Sequence, residues 1–341
     1  MLDIQKRFDA VLLETVEEWK KKGPVKGIYV YGSYTRGNVT ANSDLDVCVI
    51  WDEDRAPMEA LVEHKTVRID MAFLTPKDVE DVLEKRTKEP FRVAEVVCRL
   101  RSAKTVHDPH GTLKKWQDRA MKYTCPDDVV TGLKARAIES LESAARLSER
   151  EDETVSTVYE LRDALFDLGG VILLKNNLFC IIRPSEILRE VRMLDPLAYG
   201  LFLRAFKLKG LEEEELRDTL SNVKRWLETA EQRRAKAGAG DMATKLLLQA
   251  QREYYGATGL TFSADYELAV LEMRRSMATL GLALLAIDGL AETKRSDVVK
   301  ELREREKEYY EQVFLQYGAF DFQSKAVKRS MGEAQFITHR L

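Results

Sequence analysis

The stretch VYGSYTRGNVTANSDLDVCVI, Val30 to Ile50, decides how the N-terminal part of this chain folds. A Gly-Ser pair, Gly32-Ser33, closes one apolar run. Asp44 and Asp46 then open another, Val47-Cys48-Val49-Ile50. The pattern predicts a strand over residues 25–31, a turn at Gly32-Ser33, a short helix beginning over residues 34–37, and a strand over 44–51. Residues i and i+2 of a strand share a face, so Asp44 and Asp46 lie side by side. Two like charges there repel, and burial worsens the repulsion. No Lys or Arg adjoins them in sequence, so a distant cation must fold in or a divalent metal must bind. Mg²⁺ suits the second solution, because it takes hard oxygen ligands from one or two carboxylates plus substrate phosphates.

Outward from this stretch, a third carboxylate is at hand. In Thr66 to Leu74, TVRIDMAFL, Val67, Ile69, Met71 and Phe73 alternate with Arg68, Asp70 and Ala72, the period of a half-buried strand. Were that strand to pair beside the first, Asp70 would join Asp44 and Asp46. Three carboxylates can hold two metal ions about 3.5–4 Å apart, clamping the attacking and leaving oxygens of a phosphoryl transfer. Gly32 allows a tight turn and close approach of a ligand to the backbone. Ser33 offers a hydroxyl and an N–H, and Arg36 offers charge.

The spacing Gly32-Ser33, ten residues, then Asp44-Leu45-Asp46-Val47 resembles the signature of the DNA polymerase β-type nucleotidyltransferase superfamily. Arg36-Gly37 and Ser43 are similar to the small-molecule and minimal nucleotidyltransferase branch, and Asp70 matches the later strand carboxylate. The turn Val106 to Gly111 resembles the segment that closes such domains, so the likeness covers about residues 25–120. It implies transfer of a nucleoside monophosphate from a nucleoside triphosphate, ATP foremost, to a hydroxyl, with release of pyrophosphate. It further implies two Mg²⁺ ions, with Mn²⁺ as a substitute, on Asp44, Asp46 and Asp70, and a triphosphate at Gly32, Ser33, Arg36 and Ser43. The acceptor is expected to be a small molecule. Modification of a protein or of a tRNA end is the alternative, and a non-catalytic nucleotide binder is a third reading, opposed by the three intact aspartates.

The remainder of the 341 residues reads differently. Residues 3–22 form an amphipathic helix ended by Gly23-Pro24. Residues 103–106 suggest a fourth strand, and no element is assigned between Leu74 and Ala103. Helices are expected over 112–123, 127–149, 153–176, 185–194, 196–208, 212–235, 241–255, 264–289 and 294–316, the last as an exposed, charge-laced helix. The final 20 or so residues have weak periodicity. The fold class is therefore α+β, a small mixed-sheet domain followed by a large all-helical region. The expected domains are 1–120, 121–235 and 236–341, with Lys236 to Gly240 as linker.

In the helical part, Glu160, Asp163 and Asp167 form an acidic stripe on one helix. A solvated face explains it most simply. Similarity to antibiotic nucleotidyltransferases instead implies that Glu160 or Asp163 serves the acceptor site. His107 and His110 flank Asp108-Pro109, which is turn chemistry rather than a metal motif. Trp116, Trp226, Tyr254 and Tyr255 read as core. Hydrophobic residues make up 45%, charged residues 33%, and the net charge is -3, so no basic field recruits nucleic acid. Cys48, Cys98, Cys125 and Cys180 form no CxxC pair, which points to a reducing, cytoplasmic setting. No signal peptide or membrane span is expected, and the helices could support a homodimer.

Overall fold

The computed structural model describes residues 2–341, and the chain divides into two compact units, Met1–Val129 and Val130–Leu341. The first unit runs α1 (Leu2–Trp19), β1 (Val25–Tyr31), α2 (Gly32–Thr35), β2 (Asp44–Trp51), β3 (Ala60–His64), β4 (Val67–Leu74), α3 (Pro76–Leu83), α4 (Pro90–Ser102), β5 (Lys104–His107) and α5 (Thr112–Met121). Its five strands form one sheet in the order β3-β4-β2-β1-β5. Only β2 and β4 are parallel, and every other pairing is antiparallel. The class is α+β, as the sequence pattern predicts.

The alternation within each strand builds two different faces. Ile28, Val30, Leu45, Val47, Val49, Ile69, Met71 and Phe73 form one core with Phe8, Val11, Leu12 and Val16 of α1. The opposite face carries Tyr29, Tyr31, Asp46, Cys48, Asp70 and Ala72. Here α4 lies against β1, with the Arg99 guanidinium 5.2 Å from the Tyr31 ring centre. β4 is thus buried on both faces rather than half-buried, as expected of the parallel, central part of a sheet.

Three elements of this unit were not assigned from the sequence. β3 and β4 are joined by Lys65 and Thr66, which both have positive φ, 49° and 63°. This matches a two-residue type I′ hairpin turn, for which Asn-Gly is the usual signal. The α1 side chains hold the unusual turn: Glu14 pairs with Lys65 and His64, and Arg7 donates to Thr66 Oγ1 at 3.0 Å. Pro76 opens α3 behind a capping box formed by Thr75 and Asp78. Pro90 opens α4 behind Glu89, whose carboxylate accepts from the Phe91 and Arg92 amides.

The second unit is all helix. α6 (Asp127–Leu147) carries the chain into it and is followed by α7 (Thr154–Lys175), α8 (Pro184–Leu194), α9 (Pro196–Ala205), α10 (Glu213–Ala237), α11 (Asp241–Phe262) and α12 (Tyr266–Ile287). The helix expected over 294–316 is instead broken. A short 3₁₀ turn leads to α13 (Val298–Arg305), α14 (Lys307–Tyr309), a π-helical segment Tyr310–Leu315 and α15 (Gln316–Gly318). It is not an exposed helix either, because Glu306 is buried on Arg233. The unplaced C-terminal residues form α16 (Ser324–Arg340), which buries Val327, Met331, Ala334 and Ile337. The boundary expected at 235/236 falls in the last turn of α10, just before Gly238 takes the left-handed conformation at the helix end. No described helix is long and apolar enough to cross a membrane.

The turn after β5 behaves as chain-reversal chemistry. Asp108 accepts from the Thr112 amide at 2.9 Å and the Lys114 amide at 3.2 Å, satisfying donors that open α5. Replacing Asp108 by Ala should lower the unfolding free energy by about 1 kcal/mol. Chemical denaturation measures that loss, and metal content should not change.

Candidate functional site

The parallel register of β2 and β4 places Asp44 beside Arg68 and Asp46 beside Asp70. Neighbouring strands lie about 4.8 Å apart, so the second pair brings two carboxylates together across the sheet. Both are deeply buried, Asp46 at 4% exposure and Asp70 at 3%. β1 runs antiparallel on the other side of β2, and its last residue, Tyr31, is in register with Asp46. Gly32 follows directly. A Cβ built on Gly32 would lie 1.9 Å from Asp46 Oδ2, so any side chain there collides with the carboxylate. Its φ of +73° is a second reason for glycine.

The three aspartates do not all converge. Asp44 Oδ1 accepts from Arg68 Nε at 2.5 Å, and Arg68 Nη2 reaches the Asn42 carbonyl at 2.7 Å. The distant cation that the sequence could not name is therefore Arg68, two residues before Asp70 and on the same face. Among the described residues no group of three or more His, Cys, Asp or Glu side chains is disposed to hold a metal ion. The donor chemistry still suits a hard cation. Asp46 and Asp70 present carboxylate oxygens from neighbouring strands, and Asp46 Oδ2 fills the space that a side chain at Gly32 would take. Arg68 would compete with such a cation for Asp44.

The other expected residues frame this point. The helix after the turn starts at Gly32 itself rather than at Tyr34, so Ser33 lies in its first turn. That helix is fastened by the Tyr34 hydroxyl, which donates to Asp9 of α1 at 2.6 Å, and by Thr35 Oγ1, which donates to the Gly32 carbonyl. Arg36 caps its far end and is exposed. Ser43 acts locally, since its hydroxyl accepts from the Thr40 amide at 2.9 Å and shapes the loop that delivers Asp44.

Behind the carboxylate pair lies a layer that no sequence pattern signals. Burial drives the Tyr31 hydroxyl well above its ordinary pKa; Arg99 opposes that, and Asp70 and Asp46 add to it. Arg99 is held on Glu95 at 2.8 Å and lies near Glu59 at 3.6 Å. Its charge survives burial because Tyr31, Glu95 and Glu59 surround it. The nearby Cys48 thiol is pushed up to about 12, chiefly by burial, and stays protonated. Register would have exposed Arg68 from sequence, whereas Arg99 needed the unassigned α4.

Glu160 and Asp163 belong to the second unit, and the stripe they share with Asp167 is not a solvated face. Glu160 and Asp167 are buried. Asp163 pairs with Arg275 at 2.7 Å and Arg295 at 3.2 Å, and Asp167 lies within 3.5 Å of Arg136. The Glu160 carboxyl is pushed up to about 7, first by burial and then by Asp163, with Arg295 and the Ser143 hydroxyl opposing. Trp116, by contrast, is core as expected, its indole donating to Glu80 at 2.6 Å.

A family model covers the part of the chain that builds this geometry. Residues 12–98 match the family model described as nucleotidyltransferase domain, a span that contains the C-terminal part of α1, the Gly32 turn, β2 and β4. No curated protein matches the chain. A nucleotidyltransferase-like protein from Exiguobacterium sibiricum 255-15 is similar in structure at 13% identity, with 89% of each chain covered and a TM-score of 0.37. The match at residues 12–98 is to a nucleotidyltransferase domain, which supports nucleotidyl transfer as the general activity.

Two outcomes follow from the packing. Gly32→Ala should cost on the order of 1–3 kcal/mol of stability, because strain and a clash with Asp46 coincide. Nucleotide binding, followed by calorimetry, should be lost with it. For Glu160, a folded-state pKa of about 7 against an ordinary 4.5 means that the folded chain keeps the proton longer. Stability is then fullest below about 4.5 and falls as pH rises toward about 7. Glu160→Gln should remove on the order of 1–3 kcal/mol of that decline, read from denaturation curves across the window.

Proposed function

We propose that the N-terminal unit transfers a nucleoside monophosphate, AMP from ATP, to a hydroxyl of a small molecule and releases pyrophosphate. The observation that carries this reading is the buried pair Asp46 and Asp70, in register on β2 and β4, with Gly32 packed on the Asp46 carboxylate. Asp44 and Asp46 would hold the divalent cations, Mg²⁺ or Mn²⁺, and Asp70 would complete the position nearest the acceptor. When bound, such ions polarise the α-phosphoryl group and offset the charge that builds on the leaving pyrophosphate.

The protein's own groups have distinct roles in this scheme. Ser33 and the amides that open α2 donate to triphosphate oxygens, and exposed Arg36 adds charge at the rim. Ser43 shapes the loop that delivers Asp44. Asp70 accepts the proton of the attacking hydroxyl. The acceptor oxygen forms its bond to the α-phosphorus while the bond from that phosphorus to pyrophosphate breaks. Arg68 guards Asp44 until a cation takes its place. In the second unit, Glu160 and Asp163 would take a cationic group only if it displaced Arg275 and Arg295 from Asp163. The net charge of -3 supports a small acceptor over tRNA.

Incubation with each triphosphate labelled at the α-phosphate, in Mg²⁺, followed by separation of small molecules, protein and RNA, tests this. Label should enter the small-molecule fraction, and Asp46→Asn and Asp70→Asn should each lower transfer about 1,000-fold or more. Their melting temperatures should hold or rise, because each change removes a buried charge. Label confined to RNA or protein would overturn the acceptor. Full turnover in both variants would overturn the metal site.

A further inference from the structure

A cleft in the second unit holds groups that the scheme above does not use. The empty space here, counted out into open solvent, is about 380 Å³, and its lining includes Arg162, Arg274, Phe166, Phe206, Phe314 and Phe320. Asp163 also borders it, but Arg275 engages that carboxylate at 2.7 Å.

The charge balance of this cleft is unusual. Arg162 and Arg274 are only 7% and 6% exposed. Neither forms an ion pair with a carboxylate among the described residues. Arg162 donates to the carbonyls of Ala205 at 2.9 Å, Gly318 at 2.6 Å and Ala319 at 2.8 Å. Arg274 donates to the carbonyls of Phe206, of Lys207 at 2.8 Å and of Tyr317 at 3.3 Å. These acceptors belong to two helix ends, that of α9 and that of α15. A helix end supplies roughly half a negative charge, so two ends offset about one of the two positive charges. The acid whose charge acts on both, Asp321, has its side chain 85% exposed and is paired with Lys207 at 2.6 Å. Burial and the neighbouring Arg274 charge lower the pKa of Arg162, and burial lowers that of Arg274. Each guanidinium has five N–H donors, and the bonds described leave some of them unused.

The backbone beside the cleft is unusual as well. Phe314 lies in the π-helical segment Tyr310–Leu315, a form that often marks functional sites. Ala319, whose carbonyl Arg162 binds, is left-handed at φ 53°, a conformation that costs a non-glycine residue roughly 1–2 kcal/mol. The remaining wall is aromatic. Phe206 and Phe320 face the Arg162 guanidinium at 5.2 and 4.7 Å, and Phe166 faces that of Arg275 at 5.0 Å.

We propose that this cleft binds a small organic anion with a flat apolar body, an aromatic carboxylate or phosphate, whose charge meets Arg162 and Arg274 and whose ring enters among the phenylalanines. Arg162 and Arg274 take no part in the transfer proposed above, and the cleft shares only Asp163 and Arg275 with the groups named there. Its ligand is also opposite in sign to the cationic group that Glu160 and Asp163 would take.

The test is calorimetric titration of the full chain with benzoate, phenyl phosphate and neutral benzyl alcohol. EDTA is included, so that no metal holds phosphate in the first unit. One of the two anions should bind at a single site, at least about tenfold more tightly than the alcohol. Which anion binds tells carboxylate from phosphate. Ala278→Trp, which fills the cleft from α12, should abolish binding yet leave metal-dependent triphosphate binding intact. Arg274→Gln should weaken the anion at least about tenfold. Failure of both anions, equal binding of the alcohol, or anion binding that survives Ala278→Trp would each overturn the site. The comparison of anion with alcohol in the unmodified chain decides even where a variant fails to fold.

Discussion

Two carboxylates buried side by side are the constraint on which the N-terminal unit depends. Asp46 and Asp70 are brought together by backbone pairing, since the parallel register of β2 and β4 leaves them no choice. If both are ionised, about 5 Å apart at an effective dielectric of 20, they repel by roughly 3 kcal/mol. The rest of the unit works to hold them there. α1 packs the opposite face of the sheet with aliphatic side chains, which prevents the strands from rotating their acids outward. Gly32 gives Asp46 the room that a side chain would take. Tyr31 and Arg99 supply a phenol and a cation behind the pair. A fold organised around such a repulsion gains from any cation that enters, and that is the physical link between this sheet and phosphoryl-transfer chemistry.

The second unit follows a different logic. Its long helices α7 and α12 bury nearly every face, charged residues included, so the interior is laced with arginine contacts. Some of these arginines meet carboxylates, as Arg275 meets Asp163. Others meet only backbone carbonyls at helix ends, as Arg162 and Arg274 do. Removing one partner from such a network costs far more than the network contributes in net stability, so these groups fix the arrangement rather than strengthen it. The carbonyl-bound pair leaves positive charge facing a cleft. The acid-bound group keeps Asp163 occupied.

The core of the candidate site was legible because its signals are local. Gly32-Ser33, Asp44, Asp46 and Asp70 stand on strands whose period-2 pattern is plain, and those strands lie where the pattern puts them. What escaped was set by tertiary contact. The β3–β4 hairpin turns through Lys65-Thr66, held by α1, where no Asn-Gly announces it. Helices α3 and α4 did carry start signals, Thr75-Pro76 with Asp78 and Glu89-Pro90, and Arg99 was lost with them. The stripe at Glu160, Asp163 and Asp167 looked solvated because helical periodicity shows which residues share a face but not what covers it. Its partners Arg275 and Arg295 lie more than a hundred residues away in sequence. The break near Glu306 was equally hidden, because alternating charges read the same on a continuous helix and on a bent one with a buried ion pair.

Everything proposed for the N-terminal unit turns on whether Asp44 exchanges Arg68 for a metal ion. A crystal structure grown with Mn²⁺ and a non-hydrolysable triphosphate, with data collected for manganese anomalous scattering, measures this directly. Manganese peaks are expected against Asp44, Asp46 and Asp70, with the triphosphate along Gly32-Ser33 and the Asp44 carboxylate detached from Arg68. Asp44 still paired with Arg68, with no manganese beside Asp46, would contradict the proposed site.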